Sequence, residues 1–255
     1  HSVSEGRRTS RFLMASSVWN PWHGCTKYSE GCLHCYVYRR DKSVGRDASV
    51  IIKTKNFDLP LRKGRNGIYK LGKDECPVYT CMTSDFFLDK ADAWRNEAWR
   101  IIRIREDLSF VIITKRIVRF SSCIPSDWGA GYPNVTIMCT VENQKQADIR
   151  LPLFLSAPIR RKAIICEPLL GPIDLGEYLS PEIESVTVGG ESGDEARVCD
   201  YSWVRSLRSQ CVAHGTGFHF KQTGTLFYKD GKGYRIKREL QMSQAEKAGI
   251  DWPEP

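Results

Sequence analysis

Three cysteines whose spacing could do chemistry stand near the start of the chain. Residues 19–40 read WNPWHGCTKYSEGCLHCYVYRR, which sets Cys25, Cys32 and Cys35 in a Cys-x6-Cys-x2-Cys array. Thiolates are soft ligands, and three of them on one loop select zinc or an iron–sulfur cluster over oxygen-loving cations. Four protein ligands close a structural site, whereas three leave a position open to a small chelating ligand or substrate. A four-iron cluster held by three thiolates leaves one iron free in that sense. Zinc is the alternative. His23 or His34 would then complete a structural Cys3His site, and the chain would be a non-enzymatic nucleic-acid-binding protein.

The other seven of the ten cysteines are scattered in strand and helix patterns, as small core residues would be. No apolar leader precedes the cluster; the first residues, HSVSEGRRTSRFLM, are polar and basic. Free thiols grouped this tightly point to a reducing, cytoplasmic setting. No run nears the ~18 apolar residues that a membrane span needs. Residues 1–13 read as a flexible extension or expression remnant, 14–224 as one barrel domain, and 225–255 as a C-terminal extension packed on it.

The elements that must carry the cysteine loop alternate. Apolar, β-rich runs occur at 78–81 (VYTC), 109–114 (SFVIIT), 135–141 (VTIMCTV), 162–166 (KAIIC), 185–188 (SVTV) and 218–221 (FHFK). They are continuous rather than alternating, as expected of parallel strands covered on both faces. Helix-period segments fill 91–105, 143–155 and 200–214 between them. Nearly every strand runs into a polar or glycine-containing end. Parallel strands of a barrel bring such ends to one face, whereas a doubly wound sheet concentrates function at a switch point. The expected fold is α/β, a full or partial TIM-like (β/α) barrel of parallel strands in a single domain. The run 229–233 reads as a hairpin turn.

The cysteine array resembles that of the radical S-adenosylmethionine (SAM) superfamily, in which a cysteine-rich loop follows the first barrel strand and an aromatic residue commonly precedes the third cysteine. His34 stands at that position here. The spacing is longer than the superfamily's usual Cys-x3-Cys-x2-Cys. More narrowly, the blocks WNPWHGCTKYSEGCLHCY, FVIITKR, TVENQKQADIRLP, CEPLLGPIDL, VTVGGESGDEAR and FHFKQTG resemble a phage and bacterial protein family with a three-cysteine motif, over residues 17–224. The resemblance implies a [4Fe-4S] cluster on Cys25, Cys32 and Cys35, SAM as cofactor, an external reductant and radical chemistry on an unidentified substrate. His34, Ser84, Asp85, Lys115, Glu142, Asn143, Gly189, Gly190 and Glu191 are the expected cofactor-binding residues. Ser84 and Asp85 stand where the superfamily normally carries a Gly-Gly-Glu stretch, and a Gly-Gly-Glu occurs here only at 189–191. Glu167 and Lys115 are the expected catalytic residues.

The formal net charge is +8, from 38 Lys and Arg against 30 Asp and Glu. The basic pairs are spread along the chain, and such a balance is the footprint of a nucleic-acid partner, which puts nucleic acid or nucleotide among the candidate substrates. No Ser/His/Asp order or nucleophile elbow supports a hydrolase.

Overall fold

The computed structural model describes residues 17–72 and 77–253. The extension 1–13 and Cys76 lie outside the described residues. In chain order the elements are β1 (Ser17–Trp19), β2 (Trp22–His23), α1 (Tyr36–Ser43), β3 (Ile52–Lys53), β4 (Val78–Thr80), α2 (Asp92–Ile104) and β5 (Phe110–Thr114). Next come α3 (Phe120–Cys123), β6 (Val135–Thr140), α4 (Gln144–Ser156), β7 (Arg161–Cys166), β8 (Ile183–Gly189) and β9 (Val198–Asp200). The chain closes with α5 (Tyr201–His214), β10 (Gly217–Gln222), β11 (Leu226–Lys229), β12 (Lys232–Arg235) and α6 (Gln241–Glu246).

Seven strands form one sheet in the order β1-β4-β5-β6-β7-β8-β10, and every neighbouring pair is parallel. The spatial order follows the chain order. No switch point exists, so all the strand C-termini share one edge, as in a barrel. The sheet curls as a half-barrel and stays open, because β1 and β10 do not pair with each other. The partial form of the expected barrel is therefore the one seen.

Alternation within the strands explains the two layers of core. Phe110, Ile112, Ile137, Cys139, Ile164 and Cys166 belong to the main cluster, which also takes Ala98, Trp99, Ile101 and Ile102 from α2. The intervening residues Val111, Met138, Ala163 and Ile165 form a second, smaller cluster. Side chains pointing to opposite faces of a strand at period two produce this division. Both faces are covered, so β6 is buried at all six positions, which is why its sequence reads as an unbroken apolar run.

Helix ends follow local rules. The Asn143 side chain caps α4 by accepting from the Gln146 amide, and Asp200 caps α5 by accepting from Ser202. Gly215 ends α5 in the left-handed region at φ 70°. β11 and β12 form the hairpin expected at 229–233, turning through Asp230 and Gly231, both at positive φ. β11 pairs in parallel with β9, and Phe227 and Ala245 share the core that includes Trp19. Among the described residues no helix is long and apolar enough to cross a membrane.

Candidate functional site

A cleft of about 1260 Å³ opens over the C-terminal ends of the parallel strands. Cys25, Cys32 and Cys35 all line it, together with His34, Ser84, Asp85, Lys115, Glu167, Gly190 and Glu191. The parallel sheet accounts for this convergence: the cysteine loop leaves β1, Ser84 and Asp85 follow β4, Lys115 follows β5, Glu167 follows β7 and Gly190 follows β8. Glu142 and Asn143 follow β6 but do not line the cleft.

The loop bearing the cysteines is gripped from several sides. Gly24 donates its amide to the Thr83 carbonyl at 3.1 Å, and Ser84 Oγ donates to the Gly24 carbonyl at 2.5 Å. Arg116 Nη2 donates to the carbonyl and hydroxyl of Thr26 at 2.7 and 2.8 Å, and its guanidinium lies 4.8 Å from the Tyr28 ring centre. Glu142, with no exposed surface, accepts through Oε1 from the Ser29 hydroxyl and the Gly31 amide. Its Oε2 accepts from Arg150 at 2.7 Å. Burial opposes the Glu142 charge, but Arg150, Lys115 and the hydrogen bonds hold its carboxyl below the ordinary value. Arg197 Nη1 donates to the Glu30 carbonyl at 3.0 Å.

These bonds change the work of several residues that the sequence assigns to a cofactor. Asp85 Oδ1 accepts from the Phe87 amide and the Thr114 hydroxyl, and its Oδ2 accepts from the Lys115 amide. It ties β4 to β5. Glu142 faces the cysteine loop and Arg150. Asn143 caps α4 and reaches Glu30 at 3.2 Å. Glu191 is held bidentately by Arg197, whose Nη2 donates at 2.7 Å and Nε at 2.9 Å, and this pairing keeps its carboxyl below the ordinary value against the opposing effect of burial. In each case neighbouring backbone amides, a hydroxyl, the cysteine loop or an arginine takes the polar atoms first.

Other predicted residues stay available. The Lys115 ammonium has no hydrogen bond or ion pair among the described residues. Glu167 Oε2 accepts from Lys221 at 2.7 Å, across β8. Gly189 makes that approach possible, since a Cβ there would stand 3.1 Å from the Glu167 carboxyl carbon. Gly190 is a packing glycine: its Cβ would lie 2.2 Å from the Thr223 carbonyl oxygen. His34 Nδ1 stands 3.3 Å from Glu195 Oε2.

The donor set can be weighed for a bound group. Burial pushes the Cys25 thiol up to about 12, reinforced by Asp85, opposed by Arg116, and raised further by Cys32 and Cys35. Among the described residues, no group of three or more His, Cys, Asp or Glu side chains stands together as a single-ion site. His23 is turned elsewhere, with its Nε2 on the buried Asp41 at 2.6 Å, and does not line the cleft. Thr140 Oγ1, at the end of β6 and lining the same cleft, is a buried hydroxyl without a partner.

The sequence reading left Arg197, Lys221 and Arg39 out of the site. Arg197 follows Glu191 by six residues within one polar stretch, a visible pairing signal. Lys221 sits on β10, where buried and half-buried positions alternate, and its half-buried class was legible from FHFKQ. Arg39 follows Cys35 by four residues on α1, and nothing local marks it.

No curated protein and no solved structure matches the chain. Residues 9–251 match the family model described as protein of unknown function DUF5131, and the chain belongs to that family.

Proposed function

We propose that this protein is a radical SAM-type enzyme whose Cys25, Cys32 and Cys35 hold a [4Fe-4S] cluster. The observation that carries the reading is the placement of all three thiols on one cleft over the C-terminal ends of a parallel, sequentially ordered sheet. With His23 committed to Asp41, a Cys3His set through that residue is disfavoured.

Cys25, Cys32 and Cys35 would hold the cluster, which, once reduced by an external donor, would supply an electron for reductive cleavage of the SAM sulfonium. The chain's own residues then do the positioning. Arg116, Glu142, Ser84 and Arg197 hold the loop rigid from behind. The unpartnered Lys115 ammonium is the group available for a carboxylate of the cofactor, and the Thr140 hydroxyl is a free polar contact on the cleft wall. Glu167 and Lys221 form a carboxylate–ammonium pair able to hold or pass a proton on the substrate side.

The test is isolation of the full chain without oxygen, with metal and sulfide analysis. Equal iron and sulfide with broad visible absorbance are expected, and Cys25→Ala, Cys32→Ala and Cys35→Ala each lose it. Reduced protein given SAM then yields 5′-deoxyadenosine and methionine. A colourless protein with one zinc, or a cluster that never cleaves SAM, overturns the reading.

A further inference from the structure

A second hollow of about 440 Å³ adjoins the cleft. Arg40 of α1 lines both, while its neighbour Arg39 lines the cleft alone. The smaller hollow carries Arg40, Arg46, Lys53 and Lys55 and no Asp or Glu in its lining. Lys53 is answered by Glu97 at 2.9 Å. Arg40 reaches Asp41 only at 3.9 Å. The Arg46 and Lys55 side chains are exposed and have no ion pair or hydrogen bond among the described residues. In the cleft, Arg39 keeps a buried Nε without a partner, and Gly193 leaves room for its guanidinium, since a Cβ there would fall 1.5 Å from Nη1.

Among the described residues Arg46 and Lys55 lack a counter-charge, and with Arg40 and Lys53, each paired once, they set a row of cations between the two hollows that fits a ligand with repeated negative charges. A mononucleotide would fill one hollow and leave the other bare. A strand would use both: its phosphates spaced along the cations, its bases free to meet an aromatic face. Tyr36, next to Cys35, lines the cleft with 46% of its surface exposed and offers such a face. The net charge of +8 favours the same partner over long range.

We propose that the substrate of the cleft is a polynucleotide strand, with its backbone seated on Arg46 and Lys55, crossing α1 at Arg40, and one nucleotide delivered beside the cysteines. The assignment of the cleft as the place of reaction rests on the radical SAM reading; the binding surface does not.

Fluorescence anisotropy with a fluorescein-labelled single-stranded DNA or RNA of about 12 nucleotides, a length matched to single-strand site sizes, tests it on the full chain. The strand is expected to bind much more tightly than adenosine monophosphate competes. Neutralising two phosphate contacts in Arg46→Gln/Lys55→Gln should weaken binding roughly tenfold and flatten the slope of log affinity against log salt by about 1.4. Both side chains are exposed and outside the cysteine cleft, so 5′-deoxyadenosine formation without substrate should be unchanged in this variant. Equal binding by wild type and variant with equal slopes overturns the proposal. So does equal affinity for strand and mononucleotide, or displacement by poly-glutamate as readily as by oligonucleotide. A protein that binds the strand through these residues but never cleaves SAM sinks the catalytic reading and leaves this one standing.

Discussion

Glu142 shows how a strand-end carboxylate can read as a ligand group and serve the scaffold. Its two oxygens divide between the cysteine loop and Arg150, and Arg150 is buried with it. Desolvating a carboxylate is costly unless every lone pair finds a donor. Here the backbone amide of Gly31 and the Ser29 hydroxyl supply donors from one side and the guanidinium from the other. Glu142→Ala would leave Arg150 buried without its counter-charge, and unfolding in urea should show a loss of roughly 3–5 kcal/mol. Hydrogen exchange should also rise in residues 26–32 before it rises in the β-sheet. A variant that loses stability with the loop still protected would show that Glu142 does not hold the loop.

At the scale of elements, the open half-barrel leaves two edges, and β10 is one of them. Its outer side is covered by the segment around Trp252: the Phe218 amide donates to the Trp252 carbonyl at 2.6 Å and the Trp252 amide returns to Phe218 at 2.9 Å. Asp251 Oδ1 accepts from the Phe220 amide at 2.8 Å, and Oδ2 meets His219 at 2.7 Å. An uncovered edge with Phe218 and Phe220 in it is a template for another strand. Truncation after Gly249 should therefore lower the melting temperature and give dimers or aggregates by size exclusion. A truncated protein that stays monomeric and melts unchanged would refute this role. The strands themselves were legible because central parallel strands are apolar at every position. β1, β9 and the two-residue strands β2 and β3 were not, because each is short and lies outside the apolar runs, whereas the equally short β4 sits in the run VYTC.

For the molecule as a whole, three buried or half-buried carboxyls are held below their ordinary values. Burial works against each charge; Arg150, Arg197 and His219 respectively, with local hydrogen bonds, outweigh it at Glu142, Glu191 and Asp251. A carboxyl lowered by folding adds stability that is fully present above its unfolded value and is lost as pH falls through the lowered value. The unfolded values are 4.5 for Glu and 3.8 for Asp. The melting temperature should accordingly stay level from neutrality to about pH 5 and fall steadily below 4.5. A protein whose melting temperature rises on acidification through that window would contradict the assignment.

The sequence by itself determined the α/β alternation, the parallel character of the central strands and the grouping of three thiols on one short loop. Those features depend on local period and residue type, which need no partner to be read. The curl that leaves the sheet open, the pairing of β11 with β9 and the choice of which polar groups face the cleft came only from the tertiary structure. Asp85, Glu142, Asn143 and Glu191 look alike at strand ends in the sequence. Among the described residues Lys115 keeps a free ammonium on the cleft and Glu167 is paired there with Lys221, while Asp85 is spent on β5, Glu142 on the loop and Arg150, Asn143 on a helix start and Glu191 on Arg197. For Asp85 and Glu142, donors 29 to 113 positions away decide that the side chain is scaffold, and no local period announces them.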